Sequence, residues 1–229
     1  MKVIGFIGAY DKTDLILSIA KVLTVMNNKV LVIDSTINQK ARYVVPAIDP
    51  TVSYITTFED IDVAVGFTDL KNIKRYLSTE NVDYDILLVD ADTTDRVSTF
   101  NLTEAYLNYF VTSFDVYSLK KGLEILSNLQ VPINLTKVLY SKDMSKEEDD
   151  YLNFLSKEYK INWENAIMYF PIENGDLSVM SENERIEKIK FKKMSIQFKD
   201  TLNYIVQQIL GEKDDTNVRK AMKLIERGE

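Results

Sequence analysis

The sequence predicts an α/β fold: a doubly wound, mostly parallel sheet with helices on both faces. Three observations carry this expectation. Short, continuous apolar runs such as VLVID (30–34) and DILLVD (85–90) alternate with longer segments of helical period. Strands separated by helices imply parallel pairing through right-handed crossovers. Strands apolar on both sides imply a sheet covered on both faces. Seven glycines and four prolines in 229 residues leave room for long regular elements, and 45% hydrophobic residues suffice for one sizeable core.

The elements follow in order. Val3–Ile7 is a buried strand. Leu15, Ile16, Ile19, Ala20 and Leu23 repeat at helical spacing, with Met26 near the end. Asn27 and Asn28 turn the chain into a second strand that closes on Asp34. Residues 53–67 hold two short strands around Glu59-Asp60. Residues 69–78 form an amphipathic helix. Residues 84–92 are the cleanest buried strand, four apolar residues between acids. A strand at 108–114, a helix at 116–129 and a strand at 134–141 come next. The helix at 145–159 opens with Ser145 as its cap and acids in its first turn. Residues 166–172 are the last strand, and 194–210 the long closing helix. The domain is expected to be residues 1–210. Gly211 stops the closing helix, GEKDD reads as a hinge, and 211–229 form a short helical tail. Val218, Met222 and Ile225 share one face of that tail, with Arg219, Lys220, Lys223 and Arg227 elsewhere.

Composition excludes several chemistries. There is no cysteine, so disulfides and thiolate catalysis are out, and no histidine, so serine-histidine and cysteine-histidine hydrolases are out as well. A net charge of −7 argues against general nucleic-acid binding. No apolar run reaches the length of a membrane span, and no signal peptide opens the chain, so a cytoplasmic location is expected.

In doubly wound sheets ligands bind at the carboxyl ends of the strands. The turn Gly8, Ala9, Tyr10, Asp11, Lys12, Thr13 falls there, as do Asp34 and Asp90. A lysine and a threonine between a strand and a helix have the order a phosphate-binding loop requires: lysine for the β- and γ-phosphates, hydroxyl for Mg²⁺. Thr13 and Asp90 are then the candidate metal ligands. Each feature also has a plainer reading. Lys12 can neutralise the strand-end acids, and the Thr13 hydroxyl can bond within the first helical turn. Asp92 and Asp95 read as solvated turn acids. Tyr106, Tyr109, Phe110 and Phe114 read as core, and EKIKFKKM (187–194) as a solvated basic helix face.

The order strand, Lys-Thr, helix, VLVIDS, then YDILLVDADT resembles the ParA/MinD-like ATPases with a deviant Walker A loop. The resemblance covers nearly all of residues 1–210. VLVIDS is similar to that family's first switch strand, and YDILLVDADT to its Walker B strand and second switch. YFVTSFDVYSLKKGLEIL is similar to the strand and helix that follow. MYFPIENGDLS resembles the late loop whose proline, here Pro171, cradles adenine. The resemblance implies a P-loop fold that often dimerises face to face around two ATP molecules.

The departures fall at the chemistry. Where the family reads Lys-Gly-Gly-x-Gly-Lys-Thr, this chain has Ile7, Gly8, Ala9, Tyr10, Asp11, Lys12 and Thr13. Ile7 replaces the lysine that reaches a partner's nucleotide. Asp11 replaces a glycine, Asp14 stands where Thr or Ser is common, and Thr36 replaces the aspartate tied to hydrolysis. ADTTD lacks the family's usual glycine, and Tyr140 or Ser141 stands where an adenine-binding asparagine is usual. A carboxylate at a helix N-terminus repels incoming phosphate by roughly 1 kcal/mol or more per close pair. The same carboxylate can cap the helix, worth about 0.5–2 kcal/mol. Asp11 is therefore expected to substitute for phosphate, with Lys12 paired to it, to Asp34 or to Asp90.

The expected function is a pseudo-ATPase of this class: a scaffold, adaptor or regulator in a division, partition, flagellar, pilus or secretion machine. No cofactor is expected for it. The alternative is a slow ATPase that binds ATP and Mg²⁺ and dimerises, with plasmid partition as one setting. A protein partner is expected and a homodimer entertained. Membrane contact through the tail is the less favoured expectation.

Overall fold

The computed structural model describes residues 1–47, 51–141, 146–171, 174–211 and 215–228. Among them, eight strands form one sheet: β1 (Lys2–Ile7), β2 (Val30–Asp34), β3 (Tyr54–Phe58), β4 (Ile61–Val65), β5 (Ile86–Ala91), β6 (Leu107–Ser113), β7 (Ile133–Ser141) and β8 (Ile161–Pro171). Their order across the sheet is β3-β4-β2-β5-β1-β6-β7-β8. Every pair is parallel except β3 with β4, a hairpin that turns at Glu59 and Asp60, both at positive φ. The fold class is the one the apolar runs predict.

Two layers cover the sheet. One contains α1 (Thr13–Val25), α2 (Ala41–Val44), α7 (Asn174–Ile186), α8 (Ile196–Leu210) and α9 (Thr216–Gly228). The other contains α3 (Leu70–Tyr76), α4 (Thr94–Thr99), α5 (Val116–Ser127) and α6 (Lys146–Leu155). Local signals set the ends. Asp69, Thr93, Asp115 and Ser195 each accept an amide of the helix that follows. Gly211 ends α8 in the left-handed region, φ 76°, as its position predicts. Lys2 Nζ donates to the last carbonyls of α8, Ile209 O at 2.7 Å and Leu210 O at 3.0 Å. The first strand thereby caps the long closing helix.

Several expectations change. Helices α4 and α7 are not visible in the sequence pattern. The strand expected at 166–172 starts at Ile161, and its exposed first half pairs with β7 at the sheet edge. EKIKFKKM is not a helix face. Its apolar residues recur at intervals of two and three, which suits irregular chain rather than a helical stripe, and Ile189, Phe191 and Met194 are buried there. Tyr109 and Phe110 are core as expected, but Tyr106 is half exposed beneath the Lys2 ammonium. The Ser145 cap and the GEKDD hinge lie outside the described residues, apart from Gly211 and Asp215.

The tail does not project. Helix α9 packs on α1 and α8, and Val218, Ala221, Met222 and Ile225 are buried. A membrane or partner therefore cannot meet its apolar face without undocking it. Val218→Asp would place an unpaired carboxylate in this contact and is expected to cost about 3 kcal/mol or more. Urea unfolding measures it. A change below about 0.5 kcal/mol would mean that α9 is not docked in solution.

Candidate functional site

The site lies where the carboxyl ends of β1, β2 and β5 meet. Asp34 ends β2 directly beside Asp90 of β5, and β1 runs on the other side of β5. Residues 8–12 connect β1 to α1. Gly8 makes this close passage feasible. Its φ is +144°, and a Cβ there would sit 2.1 Å from the Val111 carbonyl oxygen. Its amide donates to Ala91 O at 3.1 Å.

Lys12, only 3% exposed, points back under the loop. Its ammonium lies 2.6 Å from Asp90 Oδ1 and donates to Gly8 O at 2.8 Å. Of the three partners considered for Lys12, the structure selects Asp90. Burial raises the Asp90 pKa to about 7; Lys12 opposes this, while Asp34 and Asp92 add to it.

Asp11 does hold the start of α1. Its Oδ1 accepts the Thr13 amide at 3.1 Å. Its other oxygen binds Lys40 at 2.6 Å, not Lys12. Lys40 also reaches Asp14 at 3.2 Å and Glu184 of α7 at 2.5 Å. Burial alone would raise the Asp11 pKa, but the hydrogen bond and charge of Lys40, with the Thr13 amide, outweigh it and hold the carboxyl below its usual range. Burial raises Asp14 to about 7, against the pull of Lys40 and with the help of Glu184 and Asp11. Burial also works against the Lys40 charge, yet Asp14, Asp11 and Glu184 prevail and keep its pKa above the ordinary lysine value.

Asp34 is saturated by its own segment. Oδ2 accepts the Ala41 amide at 2.9 Å, and Oδ1 accepts the Thr36 amide at 3.0 Å and hydroxyl at 2.6 Å. Thr36 thus secures Asp34 where the resembled family carries a second acid. Asp92 accepts the Ile37 amide at 3.0 Å, so it ties two strand-end loops together rather than being simply solvated. Ile7 is wholly buried in the apolar layer under α4 and α5 and presents nothing to a partner.

An open cleft of about 320 Å³ remains, lined by residues 9–13, Thr36, Asn38, Lys40, Tyr43, Asp90 and Asp92. The predicted residues Ala9, Tyr10, Asp11, Lys12, Thr13 and Asp90 therefore meet there. Gly8 and Asp34 support the cleft from behind. Pro171 does not reach it, because β8 lies three strands from β1. An aromatic ladder fills the space between: Tyr10 to Tyr140 at 4.6 Å, Tyr140 to Phe170 at 5.2 Å, and Phe170 to Phe198 at 5.1 Å. Lys40, Glu184, Asn38 and Tyr43 were not singled out from the sequence. They lie in segments without periodicity or motif, and only the fold brings them to the loop.

A doubly wound sheet with a Lys-Thr turn leading from its central strand into the first helix is the architecture of ParA/MinD-like proteins, and the fold is ParA/MinD-like. The structure is similar to a chain of the MinC:MinD cell division protein complex of Aquifex aeolicus, with TM-score 0.58 and 17% identity, over 93% of this chain and 98% of that one. It is similar to a ParA family ATPase from Chlorobium tepidum TLS, with TM-score 0.54 and 15% identity, over 97% and 98%. It is also similar to a plasmid partition protein of Borrelia burgdorferi B31 bound to AMPPNP, with TM-score 0.54 and 14% identity, over 92% and 97%. No family model matches the sequence, and no curated protein does.

Proposed function

We propose that this chain is a nucleotide-independent member of the ParA/MinD-like class, serving as a scaffold, adaptor or regulator through a protein partner. One observation carries the reading. The two groups a phosphate would claim, the loop lysine and the first amide of α1, are both held by carboxylates of the chain itself. The charge around the cleft points the same way. Asp11, Asp14, Asp34, Asp90, Asp92 and Glu184 gather around Lys12 and Lys40, a poor setting for a polyphosphate. The residues present therefore fit Mg–ATP poorly, although Thr13 and Asp90 are those that would hold the metal. Among the described residues no three acidic side chains are arranged to hold one by themselves. A machine that positions or assembles a cellular structure is the setting the fold suggests. Among the described residues no helix is long and apolar enough to cross a membrane.

The second reading, a slow Mg-ATP-dependent ATPase, draws on the cleft itself, which Lys12, Thr13 and Asp90 still line. Thermal unfolding with and without millimolar Mg-ATP separates the two. Ligand at 100 times its dissociation constant adds about 2.7 kcal/mol. We expect no shift in the parent and a clear shift in Asp11→Gly, which removes a carboxylate from the place of phosphate and frees the Thr13 amide, while Lys40 keeps Asp14 and Glu184. A shift of that size in the parent would overturn the proposal.

A further inference from the structure

Helix α6 is docked the reverse of most surface helices. Its inward contacts are largely polar. Lys137, buried in the middle of β7, donates to Asp149 Oδ1 at 2.5 Å and Asn153 Oδ1 at 2.7 Å. Ser141 donates to Glu148, and Leu152 is the buried residue of the helix. Its aromatic side chains point out: Phe154 is 73% exposed and Tyr151 50%. Glu147 and Asp150 are exposed beside them. The four occupy positions i, i+3, i+4 and i+7, a single stripe along the helix. Large rings presented to water beside acids mark a surface made for contact.

The chain carries a counterpart. The outer face of α9 presents Lys220, Lys223, Leu224 and Arg227, again at i, i+3, i+4 and i+7, with Leu224 58% exposed. Two carboxylates and two rings on one stripe match three cations and a leucine on the other. Salt bridges and cation–π contacts are both within the reach of these side chains. The stripes lie on opposite faces of the sheet, since α6 belongs to the layer of α3, α4 and α5 and α9 packs on α1 and α8 in the other.

We propose that α6 of one copy docks on the outer face of α9 of a second copy. Because the two surfaces differ and face opposite ways, the contact is heterologous and propagates head to tail rather than closing a twofold pair. Neither stripe contains a residue of the loop site, so the inference stands whether or not nucleotide binds there.

Sedimentation velocity over a wide range of protein concentration tests it. Association growing with concentration and weakening at high salt is expected. Phe154→Ser, Asp150→Lys and Lys223→Glu, all at exposed positions, should each weaken it by about tenfold or more. Mixing Asp150→Lys with Lys223→Glu should restore it, because each altered stripe then meets an oppositely charged one. Circular dichroism verifies that the variants fold. A parent that stays monomeric at low salt, or association indifferent to these substitutions, would overturn the proposal.

Discussion

Gly8→Ala is expected to cost about 3 kcal/mol or more, enough to remove much of the stability of a typical domain. The added methyl would sit 2.1 Å from the Val111 carbonyl oxygen, at a backbone φ of +144° that alanine rarely adopts. Relief by movement is blocked from two sides. The Gly8 amide is bonded to Ala91, and Ile7 just before it is in register with both Ala91 and Phe110. Gly175→Ala is the control, because nothing lies within 4 Å of the added carbon. It should change stability by no more than a few tenths of a kcal/mol, or raise it slightly. Equal effects of the two substitutions in urea unfolding would contradict the described path of the loop.

Stability should fall as pH rises from about 4 to 7. Asp14 and Asp90 have folded pKa values of about 7, against an ordinary value of 3.8. Between those values the folded chain holds protons that the unfolded chain has released. Each carboxylate therefore lowers stability as pH rises through that window, and the loss levels off above it. Asp11 and Asp115 act in the opposite sense, losing their contribution only as pH falls below the ordinary carboxylate range. The groups around Asp14 are Lys40, Asp11 and Glu184, all in the same cluster. Asp14→Asn should flatten the profile and make the protein more stable at pH 8, with little change near pH 4. A profile that is flat in the parent, or equally steep in Asp14→Asn, would show that Asp14 is ionised in the folded state.

The strands that position the site were legible because they are buried on both sides. VIGFI, VLVID and ILLVD offer no polar face, and such runs have few other uses. Elements that bury little were not. Helix α4 buries Val97 alone, and α7 reads NGDLSVMSENERI, with polar residues scattered around its circumference. The first half of β8, INWEN, only half commits to the core at the sheet edge: Ile161 and Trp163 pack inward while Asn162, Glu164 and Asn165 are exposed. At the site, Lys12 and Asp90 could be nominated because order along the chain places both at neighbouring strand ends. The partner of Asp11 could not. Glu184 owes its approach to the packing of α7 near α1, and Lys40 to the turn from β2 into α2, neither of which local spacing encodes.

The position of β1 also bears on how the chain is made. β1 is a central strand made well before its sheet neighbours β5 and β6, which begin at Ile86 and Leu107. At ordinary synthesis rates that leaves an apolar strand without its sheet for on the order of ten seconds. The carbonyls that Lys2 caps arrive later still, at Ile209 and Leu210. The contacts of β1 are thus complete only once α8 has been made. A ribosome stalled before β6 would hold out a sticky, half-paired centre rather than a finished subdomain.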